Sequence, residues 1–542
     1  VNGKRTLLRG GCIHCDNGVL GCVTTRQTEL RRAQKIKQAG FNAIRSAHHP
    51  MSPALLEACD EAGLFVMDEA FDMWYRMKTR NDFSSAFYEE FPLILREMAA
   101  KDYNHPCVVL YSIGNEIPEI GSKKAIRFGK EMIGILKEED GTRPVLMCPS
   151  MRLAKDFLFN MPYHEVDEDE WLKDPVHQKE DFQHYVAVWT RGLKNVLSVF
   201  TYDEERKEQD ERATKELYDL LDLAGYNYYG EYYEDLHKLH PERVIVGTET
   251  EGNKLSYHFE KMKKYPYVIG DFVWTLQDHL GECNCADLRY GDEPVEKDFP
   301  WVTNWCGKLD LIGDENITAH RYRMVWGLEK GICLAAQPPV HGGAEAKFSG
   351  DRETDAVMNW TFEGCEGNRT YIDAVTDAPF AEVLINGRSL GVQKTQDFRT
   401  RFFCTYEPGE VIGRGLDEQG DLLYETSLKT AGKGTKLTLS PDRKTLRADG
   451  QEMCFVYVSI TDEAGNLKAA ERLLKAKAEG AASLAGFGSA AYKSEHGFLE
   501  GIYETFGGRS LAVLRAGTKP GKAVLTVEGE GLCETLEIEV RA

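Results

Sequence analysis

No apolar run in this 542-residue chain is longer than a strand, which leaves no membrane span to find. Positive charge is also scarce: Lys plus Arg is 66 against 87 Asp plus Glu, for a net charge of −21. No basic stripe interrupts that surface, so nucleic acid and anionic lipid are excluded as partners. The 14 cysteines are scattered, without the density of a small disulfide scaffold, and read as reduced thiols with a cytoplasmic home. A signal peptide and short internal repeats are absent. The chain opens without Met, at Val1, in what reads as a strand, as if cut from something longer.

What is present is a chain of about three to four domains by length alone. Up to about residue 328, short β-rich apolar runs alternate with longer amphipathic ones. Eight strands are expected: Thr6–Ile13, Ala43–Ser46, Leu64–Asp68, Val108–Ile113, Pro144–Cys148, Ala224–Tyr228, Val244–Thr248 and Val268–Trp274. Helical stretches such as Thr28–Ala39 and Pro53–Ala62 lie between them, ended by Gly40 and Gly63, and the eighth helix is expected over Ala319–Trp326. Eight such units close a (β/α)8 barrel, taken as residues 1–330.

One connection departs from the plan. The stretch from Met151 to Arg212 is long, acidic and aromatic, the mark of a lid, a specificity wall or an interface. After Gly331 the pattern changes, with Pro338-Pro339 and Gly342-Gly343 reading as a linker. Short alternating strands with turn signals such as Asn386-Gly387 then predict two all-β immunoglobulin-like sandwiches, 345–432 and 433–542.

Two acids stand out. Glu116 closes Val-Val-Leu-Tyr-Ser-Ile-Gly-Asn-Glu and Glu249 closes Arg-Val-Ile-Val-Gly-Thr-Glu, each at the C-terminal end of a strand, where a barrel keeps its chemistry. Strands four and seven are three steps apart around the ring; for a backbone radius of ~7 Å the two carboxyls meet at ~5–6 Å. That is nearer the ~5–5.5 Å of a retaining glycosidase than the ~6.5–9.5 Å of an inverting one.

These acids do not stand alone. Leu8-Arg9-Gly10-Gly11-Cys12-Ile13-His14-Cys15-Asp16, Phe41 to Pro50, Asp68-Glu69-Ala70-Phe71-Asp72, Asn104-His105-Pro106, Asn115-Glu116 and Asp271-Phe272-Val273-Trp274-Thr275 follow in order. Together they resemble glycoside hydrolase family 2, the β-galactosidase and β-glucuronidase family. The resemblance implies Glu116 as acid/base and Glu249 as nucleophile, with Glu251 as the local rival. It implies that Asn115 binds the sugar 2-hydroxyl, Tyr228 donates to the nucleophile, and Arg45 holds it. His14, Asp16 and His48 would bind sugar hydroxyls, and Trp274 would stack on the sugar. Asp68 and Glu69 are left between supporting the site and orienting Arg45.

The resemblance implies a retaining exo-β-glycosidase acting on a β-galactoside, with no metal or other cofactor. Met73-Trp74-Tyr75 follow where some relatives place magnesium ligands, and Cys12, Cys15, Cys22, Cys283 and Cys285 fit no closed zinc site. A β-glucuronidase is the runner-up, lowered because no Asn-x-Lys triplet falls between Trp274 and Trp326. A non-catalytic carbohydrate-binding or assembly subunit is the rival from another class. The trailing sandwiches are structural, weakly carbohydrate-binding or the seat of a homo-oligomer, which the residues leave open.

Overall fold

The computed structural model describes residues 3–158, 161–194 and 204–542. Eight parallel strands form a barrel: β1 (Leu8–Ile13), β2 (Ala43–Ser46), β3 (Phe65–Glu69), β4 (Val108–Asn115), β5 (Val145–Cys148), β6 (Ala224–Asn227), β7 (Ile245–Glu251) and β8 (Val268–Trp274). Their order is β5-β4-β3-β2-β1-β8-β7-β6. At the remaining seam the backbone N–H of Asp222 donates to Val145 O at 3.0 Å and that of Asn227 to Pro149 O at 3.2 Å.

Gly225 makes that seam close. A Cβ on it would sit 2.2 Å from the carbonyl oxygen of Met147, so only a residue without one lets β6 lie against β5. Gly225→Ala should cost about 1–3 kcal/mol, the usual range for overpacking. Denaturant melts would read this, and unchanged stability would mean that the seam has slack.

The helices follow their caps. Ser52 accepts from Leu55 N–H ahead of α2 (Pro53–Ala62), and Gly63 ends it at φ 70°. α1 (Arg26–Gln38) starts with a reciprocal Thr25/Thr28 capping box. The excursion after β5, left without secondary structure by its mixed sequence, holds among its described residues the helices α3 (Met151–Leu158), α4 (Glu168–Trp171), α5 (Pro175–Lys194) and α6 (Glu204–Tyr218).

The chain divides into two compact units. The first contains the described residues up to Cys15, Phe41–Thr250 and Glu260–Val273, and so nearly all of the barrel strands. The second gathers Asp16–Gly40, Glu251–Phe259 and Trp274–Ala542. Within the second, Arg31 of α1 donates to Ile312 O and to Tyr457 Oη, both at 2.7 Å, so α1 is fastened to the last sandwich.

The first sandwich sets strands Ile332–Ala336, Arg369–Thr376 and Arg399–Thr405 against a four-stranded sheet spanning Phe380–Lys429. Its start therefore moves back from the expected residue 345. Ile332–Ala336 pairs antiparallel with Arg369–Thr376 across the stretch read as linker, because the prolines and glycines fall after that strand. The second sandwich occupies Lys436–Arg541, and its core includes Val456, Val458, Phe487, Leu514 and Leu525. All 14 cysteines are free thiols, and among the described residues no helix is long and apolar enough to cross a membrane.

Candidate active site

Arg45, the third residue of β2, is wholly buried and organises the C-terminal end of the barrel. Its Nη2 donates to Glu69 Oε1 at 3.0 Å and Oε2 at 2.9 Å, and to Asn115 Oδ1 at 2.9 Å. Its Nη1 donates to Glu249 Oε1 and to Thr248 O, both at 2.9 Å. A planar guanidinium can serve this many acceptors because its donors diverge from one plane.

Glu69, at the end of β3, also accepts from Ser112 Oγ at 2.6 Å and from His48 Nδ1 at 2.8 Å. Burial would raise its pKa, but the Arg45 charge and the His48 and Ser112 hydrogen bonds outweigh that and hold it at about 2. Asp68 points elsewhere, to Lys101 Nζ at 2.9 Å and the Met51 N–H at 3.0 Å. The pair left undecided above therefore divides, with Glu69 bound to Arg45 and Asp68 to Lys101.

Glu116 follows β4 in a left-handed conformation, φ 43°, with its N–H on Cys148 O. The amide of Asn227, the last residue of β6, donates to Glu116 Oε1 at 3.2 Å and to Asn115 Oδ1 at 3.1 Å. Thr248 Oγ1 fixes that amide by donating to Asn227 Oδ1 at 2.7 Å. Glu116, Asn227, Asn115, Arg45 and Glu249 are thus joined by consecutive hydrogen bonds.

Burial pushes Glu249 up to about 7 against the pull of Arg45, and the neighbouring Glu116 charge pushes the same way. Arg45 donates directly to Glu249, whereas Glu116 Oε1 accepts from a neutral amide. Glu251 has its own partner in Lys254 at 2.9 Å.

His48 Nε2 lies 3.8 Å from Glu249 Oε1, and the rings of His14 and His48 meet edge-on at 5.9 Å. Burial disfavours the His48 cation, but the bond to Glu69 more than compensates and its pKa rises. Tyr228 sits just past β6 at φ 53°, its N–H donating to Glu249 O at 2.7 Å. The barrel unit therefore brings together His14, Arg45, His48, Asn115, Glu116, Tyr228 and Glu249. Asp16 and Trp274 fall in the second unit. There Asp16 accepts from Leu280 N–H at 3.4 Å, and buried Trp274 lies edge-on to His279 at 6.0 Å.

Sequence reasoning passed over Asn227, Asp72 and Lys78. Lys78 Nζ donates to Asp72 Oδ1 at 2.7 Å, and Asn115 Nδ2 to the same oxygen at 3.0 Å. This loop is tied to the excursion after β5. Arg76 donates to Glu168 Oε1 and Asp181 Oδ2 while lying over the rings of Phe157 and Tyr163. Its only signal in the sequence was an Asp-x5-Lys spacing in a loop.

Elsewhere, Cys285, Cys306 and Asp351 have ligand atoms within 4.8 Å of one another. The Lys308 ammonium lies beside them, donating to Cys306 O and Asp351 O at 2.8 Å, so a metal cation there would face a positive charge.

Residues 1–194 match a family model described as glycosyl hydrolases family 2, TIM barrel domain, and 437–536 one described as glycoside hydrolase family 2 C-terminal domain 5. Residues 367–422 match a domain of unknown function. The β-galactosidase BoGH2A of Bacteroides ovatus is 28% identical over 565 residues, covering 98% of this chain and 61% of that protein. A solved family 2 member from Bacteroides cellulosilyticus has a TM-score of 0.82 at 28% identity, over 100% of this chain and 63% of that one. A family 2 β-glucuronidase, 14% identical with a TM-score of 0.59 over 99% of this chain and 49% of that one, shares the fold. The chain spans less than two thirds of the length of each.

Proposed function

Because this chain belongs to glycoside hydrolase family 2, we propose that it hydrolyses terminal β-D-galactosides with retention of configuration. Glu249 Oε2 attacks the anomeric carbon while Glu116 protonates the departing oxygen. Glu116 then takes a proton from the water that releases the sugar. One observation carries the reading: Arg45 donates to one oxygen of Glu249 at 2.9 Å, and the same hydrogen-bonded chain runs through Asn115 and the Asn227 amide to one oxygen of Glu116 at 3.2 Å.

In this reading Arg45 favours the ionised form of the nucleophile, Asn115 meets the 2-hydroxyl, and His14, His48 and Tyr228 line the sugar. The galactoside preference draws on the likeness to the Bacteroides ovatus β-galactosidase. It also draws on Lys308, the lysine nearest in type to a uronide-binding cation, which is buried and spent on backbone carbonyls.

The test is turnover of nitrophenyl β-galactoside, β-glucuronide, β-glucoside and β-mannoside. The galactoside should be cleaved fastest; faster cleavage of the glucuronide would overturn the substrate assignment. Since Glu249 must be ionised to attack and burial lifts its pKa to about 7, kcat/KM should rise as pH rises through about 7. A profile flat from pH 6 to 9 would count against this pairing.

A further inference from the structure

Three carboxyl groups around Asn115 share a pattern, in which one oxygen is held by the protein and the other is left over. Glu116 Oε1 accepts from Asn227, Glu249 Oε1 from Arg45, and Asp72 Oδ1 from both Lys78 and Asn115. In each case the second oxygen has no hydrogen-bond partner among the described residues. The first two groups are the reacting pair. Asp72 has no part in that chemistry, yet it is built in the same way.

Its surroundings make Asp72 a prepared acceptor rather than a loose surface acid. Lys78 spends its three N–H donors on Asp72 Oδ1 at 2.7 Å, Asp72 O at 2.8 Å and Asn115 O at 3.2 Å. The loop between them is pinned by Trp74, fully buried, whose Nε1 donates to Ile113 O at 2.9 Å. Arg76 pins it again through Glu168 and Asp181. Burial would raise the Asp72 pKa, but Lys78, His48 and the Asn115 amide outweigh it, so the carboxylate stays ionised. The Asp72 side chain is still 32% exposed, against 11% for Lys78. A rigid, ionised carboxylate with one open oxygen suits a hydroxyl donor, and its charge strengthens that bond.

Resting on the hydrolytic reading above, we propose that Asp72 is a specificity-determining residue whose Oδ2 accepts a hydrogen bond from a hydroxyl of the terminal sugar, beside the hydroxyl met by Asn115. Lys78 is its positioning residue. The ligand class is a neutral pyranoside with a free ring hydroxyl at that place.

The experiment measures kcat/KM of the wild type, Asp72→Ala and Asp72→Asn on the best-cleaved nitrophenyl glycoside and on its 2-, 3-, 4- and 6-deoxy analogues. On the parent, Asp72→Ala should lose about 10–100-fold, the range for one hydrogen bond to a charged group. Wild type should lose a similar factor on one deoxy analogue, and Asp72→Ala should lose nothing further on that analogue while keeping the other penalties. Asp72→Asn, which preserves shape, should fall in between, so the proposal stays testable if the alanine variant folds poorly. Wild-type kcat/KM on the parent in both variants, or deoxy penalties that add to the mutation at every position, would overturn it. Absence of turnover of any parent glycoside by the wild type would instead overturn the hydrolytic reading itself.

Discussion

Glu249→Gly is expected to lose about 10⁴–10⁶-fold in kcat, the scale on which removing an enzyme's nucleophile acts, and to regain turnover in azide with α-glycosyl azide as product. The logic is steric and stereochemical. In the proposed mechanism Glu249 occupies one side of the anomeric centre, and its loss would open room for a small anion that attacks from that side without a second displacement. Glu116→Gly should differ in kind. Its intermediate still forms with a good leaving group, and azide then displaces Glu249 to give the β anomer. Product anomers read by NMR decide the roles, because interchanged anomers would mean that the two acids act in reverse. Rescue on replacing Glu251 in place of Glu249 would move the nucleophile two residues along β7, against the bond Glu251 already makes to Lys254.

Arg45→Met should be the most damaging change to the fold of the site. It leaves Glu69 and Glu249 buried without their cation, and breaking a buried pair from one side costs about 3–5 kcal/mol. The sign with pH follows from Glu69. Its folded pKa, about 2, lies below the usual carboxylate value, so its stabilisation is present above about pH 4.5 and drains away as pH falls towards 2. The stability gap between wild type and variant should therefore be widest near neutrality and narrow below about pH 4.5, as followed by urea melts at several pH values. A gap independent of pH would mean that the loss is one of packing volume alone. Arg45→Lys should recover little, because one ammonium cannot span Glu69, Asn115 and Glu249 together.

Much of this arrangement was legible before any coordinates, for physical reasons. Barrel strands are buried on both faces and read as unbroken apolar runs, so β2 and β8 fall where the residues place them and the other strand ends move by only a few residues. Glu116 and Glu249 were visible because each ends such a run. Helices α3 to α6 were not, since acidic and aromatic residues blur the apolar stripe on which periodicity depends. Asn227 was inside a recognised string but unassigned: its partners lie on β4, two strands away in the ring, and no spacing along the chain encodes that meeting. Asp72 and Lys78 looked like ordinary loop charges because their meaning lies in the Asn115 amide between them and the reacting pair. The strand Ile332–Ala336 was missed because turn residues after it drew the boundary too late.

The bracing of Arg76 by Glu168 and Asp181 has a consequence for how such a protein diversifies. Glu116 and Glu249 are held at the ends of barrel strands, whereas the loop carrying Asp72 is tied to an insertion outside that ring. On the proposed reading, changes in the insertion would retune which sugars are accepted while leaving Glu116 and Glu249 in place, and a search for altered selectivity would begin at Glu168 and Asp181.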